Sequence, residues 1–293
     1  MAAYTIENEK LSVTIDAHGA ELSSIYDKEN DRELIWQADP AFWNRHAPVL
    51  FPNVGKYGGH FTYNGKAYPM GQHGFARDTE FEQIAAGEDF VTYRLCADEE
   101  SKKKYPFDFV LEITHRLENN RLSVEWNVKN VDDKEMYFTI GGHPAFNVNI
   151  LPDTDFEDYS LVFKEGIETL SYILIDAENG TALTDKTHKL ELTNSKYALK
   201  KDMFDKDALI FDNGQIEWVG LALPNGKPYI ALESKNFPNF GIWSKPGAPY
   251  VCLEPWCGRC DNKGFQGEIS EKPGINTLKA GEVFKKSYDI IVY

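Results

Sequence analysis

The sequence predicts an all-β protein, one large antiparallel domain spanning residues 1–293, and three features point to it. Apolar residues recur at every second position through most of the chain, the period of a strand with one buried face. Two-residue turn signals separate these runs. Amphipathic helical periodicity is scarce. So many strands in one domain require two stacked sheets or a closed barrel, because exposed edges must be managed.

Taken in order, "YTIENEKLSVTID" opens the chain as its first strands, and "KLSVTID" and "AELSSIYDK" flank His18-Gly19 as a hairpin. "PAFWNRHAP" has the composition for one or two helical turns. "GHFTYNGKAYPM" centres on Asn64-Gly65, a strong hairpin signal. "SKKKYP" is a charge run and is expected to be a solvated loop. "FVLEITHRL" and "RLSVEWNVK" alternate on either side of "ENN". With "MYFTIGGHPAFNV" after "VDDKE", they predict a three-strand meander. "KDMFDKDALIF" is a second candidate for a helical turn or two. "IEWVGLALPNGKPYIALESK" is a hairpin about Asn225-Gly226, and "FKKSYDIIVY" closes the chain as a strand. No fixed-period repeat, low-complexity tract or linker divides it.

Composition narrows the function. The formal net charge of −15 argues against nucleic acid or an anionic membrane as partner. No apolar run is long enough to span a bilayer. The start, "MAAYTIENEK", lacks an export signal, so a cytoplasmic, reducing setting is expected. Cys257 and Cys260 form a lone C-x-x-C without the second pair that a structural zinc site needs. With Cys96 and Cys252 they are expected to be packing residues. No dinucleotide or phosphate-loop motif is present, and neither metal nor cofactor is expected.

The seven histidines separate by context. His115 and His188 share parity with apolar neighbours and are expected in the core. His18 and His60 adjoin turn glycines, and His46 is ambiguous. His73 in "GQHGFAR" and His143 in "GGHPAFN" sit among small or rigid residues and are candidates for proton transfer. In "APYVCLEPWCGRCD", Glu254 interrupts an apolar run. A carboxylate there must be paired or functional, and partial burial raises its pKa towards that of a general base. The structural alternative is an ion pair with Arg259 or Arg77. Trp256 beside it offers a flat apolar face of the kind that lines pockets for small ring-shaped ligands.

"FPNVGKYGG", "HGFAR", "GGHPAFN" and "EPWCGRCD", in this order, resemble the aldose 1-epimerase (galactose mutarotase-like) family. The opening strands resemble it too, and the likeness is strongest to its LacX-type bacterial subgroup. The resemblance implies a β-sandwich of the supersandwich type with a sugar in an open cleft. It implies interconversion of the α and β anomers of a hexose without metal or cofactor. By position, His143 matches the acid that protonates the ring oxygen, and Glu254 the base at the C1 hydroxyl. His73 matches a second histidine that binds the sugar. Arg77 and Lys56 fall in segments that contact sugar oxygens, and Asp207 in "KDALIF" matches a sugar-binding aspartate. Lys56 departs from the arginine of the larger galactose mutarotases and cannot make a bidentate fork.

Residue chemistry agrees with that reading. Opening a hemiacetal needs one proton given to the ring oxygen and one removed from the anomeric hydroxyl, which a His/Glu pair can do in both directions. Three alternatives stand beside it. A hexose-6-phosphate 1-epimerase would use Arg45, Lys56, Arg77 and Arg259 as a local anion site. A non-catalytic carbohydrate-binding protein could share the scaffold. A glycoside hydrolase or lyase would pair Glu254 with Asp207 or Asp261.

Overall fold

The computed structural model describes residues 3–293. Among them, a nine-stranded sheet runs in the order Lys196–Ala198, Ser160–Phe163, Trp218–Ala222, Pro228–Glu233, Val283–Val292, Arg121–Asn130, Phe109–Glu118, Phe90–Cys96 and Glu82–Ala86. An eight-stranded sheet contains, in order, Ala182–Glu191, Thr169–Ile175, Leu209–Phe211, Asn239–Trp243, Tyr250–Cys257, Ile140–Gly142 and Val49–Leu50. Ala145–Asn147 also pairs with Tyr250–Cys257. Tyr4–Glu7, Leu11–Asp16, Glu21–Asp27 and Arg32–Glu33 form a smaller four-stranded sheet. One core holds Leu111, Ile113, Val124 and Trp126 of the first sheet with Phe240, Ile242, Val251 and Leu253 of the second. The two large sheets therefore pack as a sandwich, as the family resemblance implies.

The predicted hairpins form. Tyr63 pairs with Lys66 across Asn64 and Gly65, both at positive φ (50° and 71°), the backbone that Asn-Gly supplies at least strain. Glu118 pairs with Arg121 across Asn119-Asn120.

Three expectations are corrected. Residues 136–147 do not continue the meander. After Arg121–Asn130 the chain crosses to the opposite sheet, and the C-terminal strand Val283–Val292 takes the vacant edge. The buried Asn130 side chain holds this crossover, donating to the carbonyls of Lys134 and Leu278. The charge run is helical rather than a loop. Glu99–Lys104 buries no residue but is capped by Asp98, whose carboxylate accepts from the Ser101 N–H at 2.7 Å. His188 is only half-buried, because its hairpin lies at a sheet edge, where it stacks on Tyr172. Residues 40–48 and 201–211 form short hydrogen-bonded turns, as expected, with Trp43 N–H donating to Asp39 O and Asp207 N–H to Phe204 O. His115 is buried as expected.

The strand Tyr250–Cys257 is buried along both faces, which is why its sequence runs apolar without alternation. Val251, Leu253 and Cys257 enter the sandwich core. Tyr250, Cys252, Glu254 and Trp256 point the other way, towards the cleft side of the eight-stranded sheet.

Candidate active site

A cleft of about 350 Å³ lies on that outer face, a size suited to a small ligand. His143, Glu254, His73, Arg77, Lys56, Asp207 and Trp256, the residues singled out from the sequence, all line it. The chain brings them together from segments some two hundred residues apart.

Strand register explains the central contact. Gly141 pairs with Trp256, and Ala145 with Cys252. Continuing that register places His143 opposite Glu254, in the gap where the ladder is interrupted by Pro144. Side chains opposed in this way are near neighbours. Imidazole Nε2 lies 3.3 Å from Glu254 Oε1. His143 is 6% exposed and Glu254 1%. Glu254 Oε2 and His143 Nδ1 are buried without hydrogen-bond partners. The carboxylate thus pairs with His143, not with Arg259 or Arg77.

Burial sets the protonation of this pair. Desolvation pushes the Glu254 carboxyl well above its ordinary value, and nearby Asp207 adds to the shift, while the Trp256 indole N–H opposes it. Desolvation lowers His143 to about 3, with Arg77 and Arg45 contributing. Both shifts favour the neutral form, the proton on the carboxyl and the imidazole uncharged.

His73 is fixed by a reciprocal clasp with Gly55. Its N–H donates to Gly55 O at 2.8 Å, and its Nδ1 accepts from Gly55 N–H at 3.0 Å. A neutral ring so held carries its proton on Nε2. That nitrogen is 3.2 Å from Gln72 Nε2, and the ring stands edge-on to His143 with centroids 5.6 Å apart. The clasp needs His73 at φ 66° and Gly74 at φ 72°. A Cβ on Gly74 would meet Phe51 O at 2.2 Å, so no other residue fits there. Burial, His143 and the surrounding cations Arg77, Arg45 and Lys56 all hold His73 well below its ordinary pKa.

Trp256 forms the floor. It lies across two glycines of the flanking strands: a Cβ on Gly141 or on Gly241 would each come within 2.4 Å of its ring. The cleft walls include Trp43 and Trp243, which reasoning from sequence missed. The Trp43 ring lies over His143 at 4.8 Å and 32°, with Trp243 edge-on at 5.7 Å. The loop carrying Trp43 and Arg45 is tied down at several points. Glu21 accepts from the N–H groups of His46 and Ala47 at 2.6 and 2.9 Å. Trp36 donates to Trp43 O, and Lys245 to Phe42 O. Gln72 and Asp176 are further lining residues without a sequence signal.

Two proposed participants fall elsewhere. Arg259 grips the Asp212 carboxylate at 2.9–3.1 Å and donates to Asn262 and Cys260, so it is no part of the cleft. Asp261 is a buried partner of Lys272 and does not line the cleft, which removes it as a second carboxyl beside Glu254.

The geometry can be set beside known proteins. The family model for aldose 1-epimerase matches residues 2–290. The chain belongs to the aldose 1-epimerase family. The plasmid-encoded protein LacX of Lactococcus lactis subsp. lactis is 32% identical over 98% of both chains. A galactose mutarotase related enzyme from Lactobacillus acidophilus superposes with a TM-score of 0.94 at 36% identity, over 100% of this chain and 97% of that one. A galactose mutarotase-like protein from Lactobacillus casei ATCC 334 gives 0.90 at 33%, over the whole of both chains. Among the described residues, no helix of this epimerase-family protein is long and apolar enough to cross a membrane.

Proposed function

We propose that the protein interconverts the α and β anomers of an aldohexose by ring opening and reclosure, with His143 and Glu254 exchanging the protons. The observation that carries this reading is the 3.3 Å approach of an imidazole to a carboxyl in a sugar-sized cleft. In the forward direction His143 gives a proton to ring oxygen O5 and Glu254 takes the proton of the C1 hydroxyl. The C1–O5 bond breaks and C1 becomes a carbonyl. Rotation about C1–C2 presents the other face, and the same two groups reverse roles. The pair carries one proton throughout. Its neutral form, which burial favours, is also the form present while the open-chain aldehyde is bound. Sugar hydroxyls replacing the missing partners of Glu254 Oε2 and His143 would stabilise the ionic form needed to begin. His73 donates from Nε2 to a sugar oxygen, Trp256 supplies a flat apolar contact, and Lys56, Arg77 and Asp207 bind hydroxyls.

Polarimetry on freshly dissolved α-glucose and α-galactose tests this. The wild type speeds the approach to equilibrium, and Glu254→Gln lowers kcat by about 10²–10⁴-fold, the range for loss of a general acid–base. Full activity in that variant would remove Glu254 from the mechanism.

One observation favours a phosphorylated hexose as a second reading: Arg45, Lys56 and Arg77 line the same cleft. The Arg77 Nε is buried and lacks a hydrogen-bond partner. Turnover of glucose against glucose 6-phosphate across salt concentrations separates the two. A preference for the phosphate that weakens with salt supports the second, and equal turnover ends it.

A further inference from the structure

The thiol of Cys252 is not used by the mechanism above, yet it lies against the residues that are. Cys252 and Glu254 are two apart on one strand and so share a face. Cys252 pairs in register with Ala145, two residues beyond His143. One ligand atom from each of His143, Cys252 and Glu254 lies within 4.8 Å of the others. All three residues are more than nine-tenths buried.

We propose that His143, Cys252 and Glu254 form a site for one thiophilic divalent transition-metal ion, with Zn²⁺ the best match, and that its occupancy blocks proton exchange at the cleft. Nitrogen, thiolate sulfur and carboxylate oxygen are the three donor types zinc takes, at about 2.0–2.3 Å each. Three ligands that close together can converge on one centre with small side-chain rotations. A fourth position then opens on the cleft, which His143 and Glu254 line. Two unpartnered buried atoms, Glu254 Oε2 and His143 Nδ1, show that this corner lacks the polar partners that burial normally demands. The charges also close. A thiolate and a carboxylate neutralise a divalent cation, leaving no net charge in the low-dielectric site. On binding, the Cys252 S–H bond gives its proton to water and a metal–sulfur bond forms, with no change of oxidation state. Glu254 likewise gives up its carboxyl proton to water and coordinates as the carboxylate.

The other cysteines do not compete. Cys257 faces the sandwich core and Cys260 packs with Leu50, Val54 and Trp256. Among the described residues neither belongs to a group of three potential ligands.

The binding site stands on its own geometry, and only the block of turnover rests on the anomer-exchange reading. The test is titration of the full-length protein with Co²⁺, followed by the near-ultraviolet thiolate-to-cobalt charge-transfer absorption, with Zn²⁺ then displacing it. One equivalent is expected to give that band. Cys252→Ser should abolish it and weaken Zn²⁺ binding at least about 100-fold, since even outer-shell partners of a metal are worth about 10–100-fold. Glu254→Gln, an independent variant, should weaken binding as well. In the anomerisation assay, Zn²⁺ should inhibit the wild type reversibly, with chelator restoring activity. Cys252→Ser should keep basal turnover and escape inhibition. Absence of the band in the wild type, or an unchanged band in Cys252→Ser, overturns the site. Equal inhibition of wild type and Cys252→Ser overturns it too. A wild type that shows the band but no anomerase activity with or without metal leaves the site standing and removes the catalytic reading instead.

Discussion

Gly241 and Trp256 are fitted to each other: a Cβ added to Gly241 would lie 2.4 Å from Cζ2 of the indole. Gly141, on the strand at the other side, stands in the same relation to the ring. The flat floor of the cleft therefore depends on two residues that have no side chain and do not line the cleft themselves.

Gly241→Ala is expected to push Trp256 out of plane. Overpacking of this kind costs about 1–3 kcal/mol of stability. If Trp256 carries sugar binding, KM rises roughly tenfold, equivalent to about 1.4 kcal/mol of lost contact. Thermal unfolding and sugar-dependent kinetics measured on the same variant check both. An unchanged KM would mean that the indole is no part of the binding surface.

Glu21 acts at a distance through the loop that carries Trp43 and Arg45. Its carboxylate accepts from two consecutive N–H groups, of His46 and Ala47. Glu21→Ala leaves both half-buried donors without this acceptor and lets Trp43 drift from His143. Misplacement of about 1 Å can cost a hundredfold in rate, so kcat/KM should fall by about that much with the sandwich intact. Glu21→Gln keeps one accepting oxygen and should recover most of the loss. Near-identical activity in all three proteins would show that the loop's other ties, from Trp36, Lys245, Ala145 and Asp78, hold it without Glu21.

His115 makes stability acid-sensitive. It is buried between strands with Nδ1 unpartnered, and burial lowers its pKa from 6.5 to about 3. The unfolded chain takes up a proton near pH 6.5 that the folded chain refuses until about pH 3. The stabilisation is complete above pH 6.5 and is lost as pH falls through that window. Between pH 6.5 and 4.5 the loss from this residue is about 2–3 kcal/mol. His73 and His143 shift in the same direction, so the wild type loses more than this in total. Urea midpoints at pH 7 and pH 4.5 should converge for His115→Leu relative to the wild type. An equal acid shift in both would assign the effect to other groups.

How much of this was legible in the sequence depends on range. Strands such as Phe109–Glu118 were readable because one face meets the core and the other water, which imposes period two. The helix Glu99–Lys104 was not, because it buries nothing and so carries no apolar stripe. His188 misled for a related reason. Its parity matches Leu190, but the hairpin sits at a sheet edge, where parity does not guarantee burial. His73, His143 and Glu254 stood out as reactive groups in small-residue or apolar settings. Their meeting was legible only through the family resemblance, since the register that opposes His143 to Glu254 joins positions over a hundred residues apart. Trp43 and Trp243 went unremarked because an isolated tryptophan looks the same on a cleft wall as in a core. Arg259 looked like a ligand-binding cation until its partner Asp212, distant in sequence, came into view.

In the proposed reaction His143 and Glu254 act as one proton-exchanging unit. Saturation-transfer NMR of anomer exchange in the wild type, His143→Asn, Glu254→Gln and the double variant tests it most directly. Residues that act as a unit are strongly non-additive. Each single change is expected to remove about 10²–10⁴-fold of the enzymatic rate, with the double variant no slower than the worse single one. Losses that multiply, or either single variant exchanging anomers at the wild-type rate, would contradict it.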